Sequence, residues 1–136
     1  MERNIMQFIK TITTFIALVT ISFFNIAYAC DEHSKSSEDS VMIIRFNKPH
    51  IQYENSLKKL VDRALETKPD AKFTICAYMK VTGDDAEDKL YKASAIKNAQ
   101  RIASSLQKMG INQHNIITNY TDNQAIGSNE IHISVE

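Results

Sequence analysis

Tryptophan is absent from this 136-residue chain, and glycine and proline number only 3 and 2. So little of either excludes a collagen-like repeat and a chain that is low-complexity throughout. Two cysteines are too few for a disulfide scaffold. An excess of charge is missing too, with 16 Lys and Arg against 16 Asp and Glu and an isoelectric point near 6.9. Without a basic block the chain lacks what neutralises phosphates, so nucleic acid is not an expected partner. No G-x-S-x-G, P-loop or dinucleotide fingerprint occurs. His33, His50, His114 and His132 are scattered, and none sits at zinc-ligand spacing from another His, Cys or carboxylate. The expectation is a protein that is not an enzyme, with no metal and no cofactor.

What is present begins with a processing segment, residues 1–29. Arg3 and Lys10 lie in the first ten residues, and Ile12 to Ala29 is free of charge. The stretch closes on Ala27-Tyr28-Ala29, two small residues flanking a larger one, before Cys30. A basic start, an apolar middle and a small-x-small end predict a secretory signal peptide. The rival is a retained membrane anchor, but Thr11, Thr13, Thr14, Thr20, Ser22 and Asn25 interrupt a run that a spanning helix needs predominantly apolar.

Cys30 is the expected lipidation site. The ending is similar to a lipobox, whose cysteine becomes the acylated first residue and anchors the chain in a membrane. Ordinary cleavage after Ala29 is the alternative and leaves Cys30 a free thiol. Cys76 is then expected unpaired, with a Cys30–Cys76 disulfide as the other outcome in an oxidising compartment. Asp31 and Glu32 behind an acylated cysteine resemble an inner-membrane retention signal, which keeps the inner membrane open beside the favoured outer membrane. Either way the domain lies on the periplasmic side of the envelope.

Residues 30–40 contain no apolar side chain after Cys30 and read as a flexible tether. The folded domain is expected at 41–136, enough for one core that hides roughly 65% of the unfolded surface. Val41 to Phe46 is a short apolar, β-branched run and predicts a strand. From Ser56 to Lys68, Leu57, Leu60, Val61, Ala64 and Leu65 form one helical stripe, stopped by Pro69. Lys72 to Lys80 alternates, with Phe73, Ile75, Ala77 and Met79 on one face and Thr74, Cys76 and Tyr78 on the other. Val81 to Lys89 is acidic and reads as a loop leading into a helix over about Leu90–Met109. A calcium loop is disfavoured there because the D-x-D-x-D-G order is missing. Ala95, Ala99, Ile102, Ala103 and Leu106 make that helix's buried stripe, and Gly110 its stop. Asn115–Tyr120 and Glu130–Glu136 complete a β-α-β-α-β-β order, an α/β two-layer sandwich with helices on one face of a mixed sheet.

This order and several stretches resemble the OmpA-like C-terminal domain family, which includes the MotB and peptidoglycan-associated lipoprotein types. Ile43-Ile44-Arg45-Phe46-Asn47 looks like the family's first strand. Ile75-Cys76-Ala77-Tyr78 with Gly83 looks like the strand and loop of its G-H-T-D-x-x-G. Asn98-Ala99-Gln100-Arg101-Ile102 through Gly110-Ile111 looks like its R-A-x-x-V-x-x-x-L-x-x-x-G-I helix. Asn129 with Ile131, Ile133 and Val135 looks like its closing strand. The resemblance implies non-covalent binding of peptidoglycan, in which a loop Asp and a helix Arg grip the ammonium and carboxylate of diaminopimelate.

Here the Asp position is Lys80 and the Arg position is Asn98, while Glu130 and Ile131 stand where the closing strand has arginine. A lysine repels the ligand's ammonium, and a carboxamide has no charged fork. Lys97 neighbours Asn98 but projects about 100° away on a helix. Asp84 or Asp85 could supply a relocated carboxylate. The expected site is a degenerate pocket of Lys80, Lys97, Asn98 and Tyr78. Two functions follow. One is a structural or accessory lipoprotein docking on envelope proteins, as DotK/IcmN-type lipoproteins do in the type IVB (Dot/Icm) secretion system. The other is a peptidoglycan-binding tether from membrane to cell wall.

Overall fold

The computed structural model describes Cys30 and residues 41–136. The signal peptide expected at 1–29 and the tether expected at 31–40 lie outside the described residues. Among the described residues, no helix is long and apolar enough to cross a membrane. The elements are β1 (Met42–Arg45), α1 (Glu54–Thr67), β2 (Phe73–Lys80), α2 (Asp85–Lys108), a 3-10 turn (Gln113–Asn115), β3 (Ile116–Asn123) and β4 (Glu130–Val135).

The four strands form one mixed sheet in the order β1-β4-β2-β3. β4 runs antiparallel to both its neighbours, and β2 runs parallel to β3. The period-2 pattern of β2 explains its central place. Phe73, Ile75, Ala77 and Met79 are all buried, while Thr74, Cys76, Tyr78 and Lys80 are half-buried. Ile131 and Ile133 of β4 and Ile44 of β1 extend the inner face across the sheet. Leu57 and Val61 of α1, and Ala99, Ile102 and Leu106 of α2, join these residues in one core cluster. Both helices therefore cover the same face, and the architecture is the expected two-layer α/β sandwich.

Helix ends follow local chemistry. Lys68 after α1 is extended, as a residue before proline prefers, and Pro69 continues no helix. α2 starts at Asp85, five residues before the expected Leu90. Asp84 caps it, with Oδ1 accepting from the N–H groups of Ala86 and Glu87, each at 2.9 Å. Asp85, Glu87 and Asp88 then occupy the first turn, where the helix dipole favours negative charge. At the other end Gly110 adopts φ +94°, its N–H donates to the Gln107 carbonyl, and the Ile111 N–H donates to that of Leu106. This is a Schellman stop, and Leu106 and Ile111 share the core beneath it. β3 runs three residues past the expected Tyr120, because Thr121, Asp122 and Asn123 keep pairing with the end of β2.

Candidate functional site

The end of β2 and the start of α2 make the region that the sequence marks as a ligand site. Asn129, just before β4, ties it together. Its side chain is almost fully buried. Oδ1 accepts from the Lys80 N–H at 2.8 Å, and Nδ2 donates to the Tyr91 carbonyl at 2.7 Å. One carboxamide thus fixes the last residue of β2 against the second turn of α2. The Lys80 ammonium reaches the same turn, donating to the Tyr91 hydroxyl at 3.3 Å and lying 5.0 Å from the ring centre. A cation over an aromatic face is held by the ring quadrupole.

The chain between these elements is latched by Asp88. Its carboxylate accepts from the Thr82 N–H at 2.7 Å, the Thr82 hydroxyl at 3.0 Å and the Gly83 N–H at 3.3 Å. The Thr82 backbone donor does most to hold this carboxyl below its ordinary value. Gly83 supplies φ +88°, which an L side chain rarely adopts. Asp84, spent on the helix cap, does not serve as the relocated carboxylate. Asp85 lines the same shallow cleft as Lys80, with Lys89, Lys92 and Asp122, in a space of about 210 Å³.

The other expected site residues lie elsewhere. Lys97 is exposed and lines a different cleft, of about 370 Å³, between the start of α1 and the middle of α2. Asn98 is only 9% exposed and belongs to the buried stripe of α2. It follows Tyr91 by seven residues, about 10 Å along the helix axis. Tyr78 lines a third cleft, of about 590 Å³, with Val81, Thr121 and Asn123. Tyr78, Lys97 and Lys80 thus line three different clefts.

The face of the sheet away from the helices carries polar chemistry that the sequence reading did not assemble. Glu130, 13% exposed at its side chain, accepts from Arg45 Nε at 2.8 Å and lies 3.0 Å from His132 Nε2. Partial burial pushes the Glu130 carboxyl up, but the hydrogen bonds from His132 and Arg45 outweigh it and hold it below its ordinary value. The Tyr78 ring lies 4.5 Å from that of His132. Cys76 pairs across the sheet with His132 on one side and Asn119 on the other. The Cys30 thiol is buried and lies beside Cys76, the two side chains interacting. The expected unpaired Cys76 thus has a thiol neighbour, although both cysteines are free thiols here. The one local signal was Glu130-x-His132, two residues apart and so on one face of a strand. Among the described residues, no group of three or more His, Cys, Asp or Glu could hold a metal ion.

No protein-family model and no curated protein matches the sequence. The fold does have solved counterparts. One is the OmpA-like domain of FopA1 from Francisella tularensis subsp. tularensis SCHU S4. It superposes with a TM-score of 0.52 at 16% sequence identity, over 68% of this chain and 70% of that one. At that identity the likeness concerns backbone architecture, and the fold of this chain is that of an OmpA-like α/β sandwich.

Proposed function

We propose that the chain is an exported, non-catalytic binding domain on the periplasmic side of the envelope, which docks on envelope proteins as a structural or accessory subunit. A type IVB (Dot/Icm) secretion system is the kind of assembly meant. The observation that carries this reading is the state of the two positions that resemble the family's grip. Lys80 brings an ammonium held by Tyr91, and Asn98 is a neutral side chain sunk in the helix–sheet stripe. A zwitterionic amino acid needs one anion and one forked cation at a common point. Lys97 supplies neither, because it faces another cleft. Acylation of Cys30, in the outer membrane before the inner, is one fate open to that thiol on this reading. It requires that sulfur to be bonded to nothing else.

One observation favours the second reading, a peptidoglycan tether. The cleft at Lys80 mixes both signs, with Lys89 and Lys92 beside Asp85 and Asp122. Sedimentation with isolated sacculi separates the two. On the first reading the exported protein stays in the supernatant at moderate salt, while in-cell cross-linking joins it to a specific envelope protein. Salt-resistant pelleting that Lys80→Glu abolishes would establish the tether instead.

A further inference from the structure

We infer that Cys30 and Cys76 form an intramolecular disulfide in the exported protein, fastening the chain ahead of β1 to the sheet face opposite the helices. Two observations meet here. Cys30 is 4% exposed, ahead of the polar stretch Asp31 to Ser40. Its thiol lies beside the one other cysteine of the chain, and the two side chains interact. Cys76 sits in mid-strand, fixed by ladder pairing on both sides. A rigid partner of this kind keeps one half of a disulfide in place without an ordering cost when the bond forms.

The two sulfurs have distinct parts in the step. Cys76 accepts from Cys30 and from Asn119, which favours its thiolate against the opposing effect of burial. Cys30 donates and is desolvated, so it keeps its proton. Cys76 is also the more exposed of the two. The oxidant is an external disulfide, either a small one such as oxidised glutathione or that of a thiol–disulfide oxidoreductase. The Cys76 thiolate attacks one of its sulfurs, forming a mixed disulfide and releasing one thiolate. Cys30, losing its proton to that thiolate, then attacks Cys76 Sγ and expels the second thiol. Two protein thiols are oxidised and one external disulfide is reduced to two thiols.

This bond and acylation compete for one atom. A thioether on Cys30 leaves no thiol for Cys76, so a disulfide-bonded molecule has no lipid at that residue. The inference concerns the anchor and not the ligand cleft, and neither sacculus binding nor partner cross-linking decides it.

The test uses the full chain, exported by a bacterial host and alkylated before lysis. Trypsin digestion without reductant should yield Phe73–Lys80 joined to a fragment ending at Lys35. Reductant should split the pair, and Cys30→Ser and Cys76→Ser should each remove it. Oxidised glutathione added to the reduced full chain should remove two hydrogens from the intact mass without dimerisation. The inference is overturned by a diacylglyceryl mass on Cys30 with alkylated Cys76, by alkylation of both thiols, or by Cys76–Cys76 dimers.

Discussion

The two faces of the β2–β4 ladder share a backbone and differ in nearly everything else. Toward the helices stand Phe73, Ile75, Ala77, Ile131 and Ile133, each at most 1% exposed. On the other side stand Thr74, Cys76, Tyr78, Glu130, His132 and Ser134, all half-buried. The inner face is held by apolar burial, which is non-directional and tolerates exchange of similar shapes. The outer face is held by directional bonds, Arg45 to Glu130 and Glu130 to His132. Fold information therefore concentrates on one side and individual chemistry on the other. A scaffold can keep the first while the second changes.

The sharpest way to break this contrast is to truncate the inner face. Phe73→Ala removes the largest fully buried side chain and should cost about 3–5 kcal/mol, read as a lowered urea midpoint with unchanged slope. Asn129→Ala tests the joint between β2 and α2. It strips the Lys80 N–H of its acceptor and should cost about 1–3 kcal/mol, with faster amide exchange at Lys80 as the local signature. Gly110→Ala probes the backbone alone, because a Cβ there meets nothing within 4 Å. At φ +94° it should cost about 1–2 kcal/mol. The smallest effect belongs to the outer face. The folded-state value of the Glu130 carboxyl is depressed, so its contribution is full above the ordinary glutamate value of 4.5 and fades as pH falls through the lowered one. Arg45 is 60% exposed, so the contribution should not exceed about 1 kcal/mol. Glu130→Gln should flatten that acid limb of the pH–stability curve and leave the curve above it parallel to wild type.

The same asymmetry decides what could be read from the chain. Strict alternation in β2 and the Leu57–Val61 stripe of α1 made the sheet and first helix legible, since burial imposes those periods. The first turns of α2 were not, because Ala86, Glu87 and Lys89 are exposed and Leu90, the first large apolar residue, is 73% exposed. A helix that begins on its solvent side shows no stripe, and only the Asp84 cap marks its start. The polar end of β3 was hidden for a related reason. As an edge strand it pairs through its backbone on one side only, so Thr121 to Asn123 need not be apolar. The site was legible as positions rather than as geometry. Lys97 and Asn98 are adjacent in sequence, yet a 100° turn of helix sends one to an α1–α2 cleft and the other into the core stripe. Arg45 and Glu130 are 85 residues apart and meet only through strand register, which no local pattern reveals.

The most direct test of the central claim is a titration of the labelled protein with a diaminopimelate-containing muropeptide, followed by amide chemical shifts. The account predicts no saturable change at Lys80, Tyr91, Asn98 or Asn129 up to millimolar ligand. Saturable shifts at those four amides, lost in Lys80→Glu, would show that the cleft still clasps the cell-wall peptide and would contradict it.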